Sequence, residues 1–224
     1  MHPYVKGLRE SLKKKENTNK ASSMKAYMRD QFEFYGIQAP ERHQLFRLYF
    51  NNNALPSPEE LSEIETQLWA LPQRDFQYFG VTLAMKFKRK WNQDSIQLFE
   101  WMALHKSWWD SVDLISNKLI GPWFLKYPEQ IVPITSAWNQ SENIWLNRMS
   151  LIFQLTYRAH TDKKLLEKYI MNLSNSDEFF IRKAIGWSLR QYSKYNPEWV
   201  VSFVQNNKLK PLSVREALKI IDKK

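Results

Sequence analysis

The sequence predicts an all-α protein built from repeated helical hairpins. Three observations predict this class: apolar residues recur at helical spacing almost throughout, glycine is scarce, and helix starts recur at intervals of 32–37 residues. Only 5 of the 224 residues are glycine, whereas average usage of about 7% would give roughly sixteen. So few glycines argue against the hairpin turns and phosphate-binding loops of all-β, Rossmann and P-loop proteins.

Composition excludes several further classes and suggests an anionic partner. The chain has no cysteine, which excludes disulfide scaffolds, zinc ribbons and thiol nucleophiles. Residues 1–20 lack the apolar segment of a secretory signal, and no apolar run is long enough to cross a membrane. The net charge of +10 points to nucleic acid first, although a basic protein with no such partner is an equally open reading.

Helical elements can be placed from periodicity and from proline positions. A core stripe at helical spacing runs along residues 180–192 and consists of Phe180, Ile181, Ala184, Ile185, Ser188, Leu189 and Tyr192. Prolines are expected at helix starts or breaks, and they occur at Pro40, Pro72, Pro128, Pro197 and Pro211.

Weak internal repeats define the architecture. Residues 145–149 align with residues 180–184 at an offset of 35, and residues 213–217 repeat the pattern 33 later. The six predicted helix starts are Pro40, Phe76, Trp108, Trp145, Phe180 and Ser213. Such spacing predicts a HEAT-like or armadillo-like helical repeat solenoid, which usually offers a concave surface. The net charge makes a basic, DNA-binding surface the expectation there. Stacked repeats share one core, and Trp145 is predicted to lie in it. No flexible linker is evident, so residues 1–224 are predicted to form a single domain.

One helix carries a basic stripe that avoids its core stripe. Lys183, Trp187, Arg190 and Lys194 are spaced i, i+4, i+7 and i+11, which places three cations around one tryptophan. This arrangement suits phosphate contacts around an apolar probe. The alternative is that Trp187 packs on the next repeat.

The segment from Ser107 to Asp113 is the most unusual in the chain. If it is helical, Trp108, Val112 and Ile115 face the core, whereas Trp109 and Asp113 share another face. A carboxylate in a DNA-binding groove repels phosphates and should therefore serve chemistry. The alternative is that Asp113 forms an ion pair with a neighbouring Lys or Arg.

Arg148 aligns with Lys183 of the next repeat, so the two cations predict a basic ladder along one surface; a solvated face is the alternative. The four histidines show no metal-ligand spacing, and nucleophile-elbow and P-loop motifs are absent. We therefore expect no cofactor and no metal.

Several stretches resemble the AlkD-like DNA alkylation repair family, which consists of DNA glycosylases built from HEAT-like repeats. The most specific are Trp-Trp-Asp-Ser-Val-Asp at 108–113 and Phe-Phe-Ile-Arg-Lys-Ala-Ile-Gly-Trp at 179–187. The other matching stretches are residues 27–29, 34–42, 143–148 and 212–217.

The resemblance implies a monofunctional glycosylase that excises positively charged N-alkylated purines, such as 3-methyladenine and 7-methylguanine, from duplex DNA. It implies catalytic roles for Asp113, Trp109 and Trp187. It also implies DNA contacts by Arg148 and Tyr27. The further predicted DNA contacts are Gln38 and Arg42 of a matching stretch, and Lys183, Arg190 and Lys194 of the basic stripe. His43 departs from the family pattern, in which a second basic residue follows Arg42.

The implied chemistry is physically reasonable. A cationic alkylpurine is already a good leaving group, and its loss leaves an oxocarbenium-like sugar. Asp113 can stabilise that charge and orient or deprotonate water, while Trp109 and Trp187 flank the sugar and Arg148 holds a phosphate. We expect no lyase step, because no lysine is clearly placed for a Schiff base.

The expected partner is alkylated double-stranded DNA, with no membrane association. We expect the protein to be a monomer and to lie in the bacterial cytoplasm, associated with the nucleoid through DNA. A non-catalytic repeat protein that binds bent or branched DNA is the main alternative. A protein-interaction scaffold is a third reading, which the basic ladder opposes.

Overall fold

Residues 1–221 are described by a computed structural model, and helices dominate this range. The α-helices are α1 (Pro3–Lys13), α2 (Thr18–Tyr27), α3 (Ala39–Asn52), α4 (Leu61–Ala70), α5 (Arg74–Lys86), α6 (Ser95–Leu104), α7 (Trp109–Ile115), α8 (Gly121–Lys126), α9 (Ile131–Asn139), α10 (Ile144–Ile152), α11 (Lys163–Leu173), α12 (Phe179–Tyr192), α13 (Pro197–Asn206) and α14 (Pro211–Leu218). Over the same range there is no β-strand, only an isolated bridge between Glu33 and Gln73. The all-α prediction is therefore confirmed.

Helix starts recur with a nearly constant period. Helices α3, α5, α7, α10 and α12 begin at residues 39, 74, 109, 144 and 179, so that successive starts are 35 residues apart, and α14 begins 32 residues after α12. Every predicted start lies within two residues of an observed one. The prediction of a helical repeat protein is confirmed, and the period shows that each repeat contributes one helix in the same register.

The chain forms two compact units, Met1–Leu98 and Phe99–Lys224; the single domain over 1–224 stays a prediction. In the first unit, α1 buries Val5, Leu8 and Leu12 completely. Phe79 lies among the aromatic rings of α3, with the ring centroid of Phe46 at 5.1 Å. This cluster gives the first unit a core of its own.

A glycine fixes how α2 is held in the first unit. Gly36 has a φ of 76°, and a Cβ at this position would lie 2.0 Å from the carbonyl oxygen of Asn17. The amide of Asn17 donates to the carbonyl of Tyr35 at 2.8 Å. Because α2 has no buried residue, this close approach is a principal anchor of the helix.

In the second unit, the first-register helices are neighbours in order: α7 contacts α10, α10 contacts α12, and α12 contacts α14. The intervening helices pack beside them, since α9 contacts α10 and α11, and α13 contacts α12 and α14. Residues at one register position of successive repeats are thereby brought together.

The predicted core residues are only partly confirmed. The predicted stripe of α12 is buried from Ile181 to Tyr192, but its first member, Phe180, is half-exposed. Trp108 and Trp145 are half-exposed instead of buried, because Trp108 is an extended residue that precedes α7 and Trp145 lies in the first turn of α10. No helix within residues 1–221 is long and apolar enough to span a membrane.

Candidate active site and nucleic-acid interface

Helix α7 presents Trp109 and Asp113 on one face. Trp109 is its first residue and Asp113 follows one turn later, while Val112 and Ile115 are fully buried and fix the helix against the core. The chain continues from α7 into a π-helical turn, Ser116–Ile120. Such turns are often found at functional sites.

Asp113 and Arg148 form a bidentate ion pair, hereafter the Asp113–Arg148 pair. The Nε of Arg148 donates to Oδ1 at 2.7 Å, and Nη2 donates to Oδ2 at 2.8 Å. The exposed fraction of the side chain is 14% for Asp113 and 5% for Arg148. The ion pair that the sequence left open as an alternative role for Asp113 is therefore present, and its partner comes from the next repeat.

Two opposing effects act on the Asp113 carboxyl. Burial raises its pKa above the ordinary aspartate value, whereas the hydrogen bonds and charge of Arg148 lower it, and the effect of burial is larger. The bidentate geometry uses two of about four acceptor positions on a carboxylate. The carboxylate therefore keeps acceptor capacity beyond its two hydrogen bonds to Arg148.

Arg148 also connects to a third helix. Its Nη1 donates to the carbonyl oxygen of Phe180, in the first turn of α12, at 2.6 Å. The rings of Trp108, Trp145 and Phe180 pack beside this connection, with centroid separations of 5.2–5.8 Å. Arg148 is thus held by α7 and α12 and is directed at Asp113, so its predicted phosphate contact stays a prediction.

The basic stripe of α12 is shorter than predicted and is partly neutralised. Helix α12 ends at Tyr192, so Lys194 lies in the following turn, exposed, with its Nζ 2.8 Å from the side-chain oxygen of Gln191. Lys183 and Arg190 both form ion pairs with Glu216 of α14, at 2.8 Å and 2.5 Å. Trp187, between these two cations in sequence, is half-exposed.

The predicted DNA contacts of the first unit lie together. Tyr27, Gln38 and Arg42 all line one groove of about 590 Å³, which contains no acidic residue. Tyr27 ends α2 with 71% of its surface exposed. The Arg42 guanidinium lies over the ring of Tyr78, with 4.1 Å between Cζ and the ring centroid, a cation–π contact that orients it.

Sequence reasoning missed Glu216 and the carbonyl of Phe180. A signal for Glu216 was present, because residues 213–217 align with residues 180–184 and place Glu216 opposite Lys183. No sequence signal reports which backbone carbonyl an arginine will reach. Within residues 1–221 there is no group of three or more His, Asp or Glu that could hold a metal ion.

The fold and the site together define a helical repeat protein in which a half-buried aspartate is paired with a buried arginine among aromatic rings. A model of the family described as DNA alkylation repair enzyme matches residues 8–221, and the chain belongs to this family. No curated protein matches the sequence.

A solved structure described as a predicted DNA alkylation repair enzyme from Enterococcus faecalis is similar to this chain. The TM-score is 0.86 at 35% sequence identity, and the match covers 94% of this chain and 98% of that one. This similarity agrees with the family match and with the helical repeat fold.

Proposed function

We propose that this protein is a monofunctional DNA glycosylase that hydrolyses the N-glycosidic bond of cationic N-alkylated purines in duplex DNA. The observation that supports this most directly is the Asp113–Arg148 pair. A basic protein that binds an anionic polymer maintains a half-buried carboxylate next to Trp109, and holds it in place with a dedicated arginine from the neighbouring repeat.

The proposed reaction requires mainly electrostatic stabilisation from the enzyme. An alkylpurine such as 7-methylguanine carries a positive charge and leaves as a neutral base, so a strong general acid is unnecessary. The sugar becomes oxocarbenium-like as the bond breaks. A preorganised carboxylate stabilises that charge without reorganisation in the transition state.

Arg148 acts in this proposal mainly through Asp113. Its two hydrogen bonds fix the orientation of the carboxylate, and its charge favours the anionic form that the chemistry requires. Arg148 offsets part of the rise in pKa that burial gives the Asp113 carboxylate and occupies two of its acceptor positions, so charge stabilisation and orientation of the attacking water are the roles that the pair supports best. A proton is released to solvent as water adds to the sugar.

Trp109 and Trp187 supply apolar, π-rich walls. An indole face attracts developing cationic charge by about 0.5–2 kcal/mol, and bulky side chains displace water from the sugar. DNA is held by phosphate contacts, with Lys194 as an exposed cation, and by the groove that Tyr27, Gln38 and Arg42 line. These assignments extend the family membership to a specific reaction.

The direct test is release of 7-methylguanine from methylated duplex DNA under single-turnover conditions, with unmethylated duplex as the control. We expect free 7-methylguanine and abasic sites without strand cleavage. Strand cleavage by the protein would contradict the monofunctional assignment, and absence of released base would contradict the glycosylase assignment.

A non-catalytic protein that binds bent or branched DNA is the second candidate. One observation favours it: the Asp113 carboxylate is already occupied by Arg148, as in a purely structural ion pair. This candidate expects tight binding to branched DNA with no base release, so the same assay separates the two.

A further inference from the structure

Glu216 lies where two cations of α12 converge. Its carboxylate is 2.8 Å from the Nζ of Lys183 and 2.5 Å from Nη1 of Arg190, and the residue is only 7% exposed. Hydrogen bonds and charge from both cations lower the pKa of Glu216 to about 2. Near neutral pH it is therefore a fixed negative charge.

The approach of α14 to α12 is closest beside Trp187. A Cβ on Gly186 would lie 2.4 Å from the Cβ of Glu216 and 2.8 Å from the carbonyl oxygen of Ser213. The hydroxyl of Ser213 also donates to the carbonyl of Arg182 at 3.1 Å. Only glycine at position 186 lets α14 come near enough for one carboxylate to reach both cations.

The arrangement controls both the number and the position of charges on this face. Lys183 and Arg190 lie on either side of Trp187 along α12, and without Glu216 their long side chains would be free to follow any nearby phosphate. With Glu216, the three groups have a net charge of +1 and their heads are held at fixed points. Non-specific affinity for DNA rises with the number of phosphates that cations neutralise.

We propose that Glu216 is a positioning and specificity-determining residue. It holds Lys183 and Arg190 around Trp187 and thereby weakens the binding of undamaged DNA. This rests on the proposed function, in that DNA is taken as the partner of this face. Glu216 touches no DNA itself. It acts by ensuring that the two cations meet the backbone only in the geometry that also seats Trp187.

The test compares Glu216→Gln with wild type on undamaged duplex and on duplex containing 7-methylguanine. For undamaged duplex at low salt we expect about three- to tenfold tighter binding, with a slope of log K against log salt that is steeper by about 0.9 for each extra phosphate contacted. For damaged duplex we expect single-turnover excision to slow by about tenfold, since misplacing a contact group costs on the order of 1.4 kcal/mol.

The matched control is Glu167→Gln, which removes one negative charge from an exposed position of α11. It changes the net charge equally and should leave slope and excision close to wild type. Glu216→Asp retains the charge on a side chain one methylene shorter, and should give slope and excision values between those of wild type and Glu216→Gln. It provides the same comparison if the Gln variant does not fold.

A folded Glu216→Gln protein with wild-type binding, salt slope and excision would overturn the proposal and leave Glu216 with a role in stability alone. Equal effects of Glu167→Gln and Glu216→Gln would also overturn it, since net charge would then be the cause. Binding to undamaged duplex does not depend on excision. If wild type releases no base, the proposed function fails while the binding measurements still test Glu216.

Discussion

Two carboxylates at equivalent positions of different repeats behave in opposite ways. Asp113 lies in the fifth position of α7, and Glu216 aligns with Lys183, the fifth position of α12. Each reaches a cation of a neighbouring repeat. Yet burial raises the pKa of Asp113, whereas two cations lower that of Glu216 to about 2.

The difference follows from the number of cations and the extent of burial. Asp113 has one partner, Arg148, and loses more from desolvation than this partner restores. Glu216 has two partners, and their combined attraction exceeds its desolvation. A carboxylate that is costly to ionise is suited to stabilise a transient positive charge, whereas one that is saturated by cations is suited to hold structure.

The variant Asp113→Asn should have the largest effect on activity. If the carboxylate stabilises an oxocarbenium-like sugar, excision should fall by about 10²-fold or more, equivalent to roughly 2.7 kcal/mol. DNA affinity should be unchanged or slightly higher, because a charge that repels phosphate is removed. Single-turnover release of 7-methylguanine, with a binding isotherm, measures both.

The same variant leaves Arg148 buried without its partner, which should lower the free energy of unfolding by about 3–5 kcal/mol. A melting curve must therefore show that the assayed protein is folded. Asp177→Asn is the matched control, since it removes an aspartate that is 85% exposed and forms an ion pair with Lys210. Wild-type excision by folded Asp113→Asn would contradict the catalytic assignment.

Arg148→Gln should shift the pH dependence of excision. Only the ionised Asp113 is active in the proposed mechanism, and burial raises its pKa above the ordinary aspartate value. As pH decreases, the wild-type rate should therefore begin to fall at a higher pH than an exposed aspartate would give. Removing Arg148 raises the pKa of Asp113 further, so the acidic limb of the rate–pH profile moves to higher pH.

Rate–pH profiles of wild type and Arg148→Gln measure this shift. Arg215→Gln, an exposed arginine of α14, is the control and should leave the profile in place. A lower rate with an unmoved acidic limb would show that Arg148 acts on DNA and not through Asp113.

The sequence was sufficient for the helical period and for naming Asp113 and Arg148 as candidate site residues, but not for their pairing. The 35-residue spacing follows from local signals, such as prolines and apolar stripes, which one chain segment contains by itself. The partner of Asp113 lies 35 residues away, and several cations were available. Only the packing of α7 against α10 selects Arg148.

Errors of the sequence reasoning have the same origin. The i+11 spacing predicts Lys194 on the stripe of α12 only if the helix continues to that residue, whereas α12 ends at Tyr192. Lys183 and Arg190 read as a free basic stripe because their common partner, Glu216, comes from the next repeat. Trp145 is predicted to be buried because a tryptophan at a repeated helix position usually packs in the core.

Acid should distinguish the two carboxylates by their effect on stability. The two cations lower the pKa of Glu216 from its ordinary value of 4.5 to about 2. The ionised carboxylate therefore stabilises the fold fully above pH 4.5, and this contribution is lost as pH falls from 4.5 toward about 2. Glu216→Gln should lower the free energy of unfolding at neutral pH by about 2–3 kcal/mol, and the deficit should shrink in acid. Denaturant unfolding at several pH values measures it, and a pH-independent deficit would exclude the ion pairs as its cause.

The smallest expected effect concerns Lys194, which is exposed after the end of α12 and takes no part in the ion pairs of Asp113 and Glu216. Lys194→Ala should make the slope of log K against log salt shallower by about 0.9, the contribution of one phosphate contact. Excision at saturating protein and the melting temperature should stay at wild-type values, because no carboxylate loses a partner.

Lys168→Ala, at an exposed lysine of α11, controls for net charge. If both variants change the slope equally, Lys194 contributes only to the overall field. If only Lys194→Ala changes it, the turn that follows α12 contacts the DNA backbone, beyond the two cations that Glu216 holds.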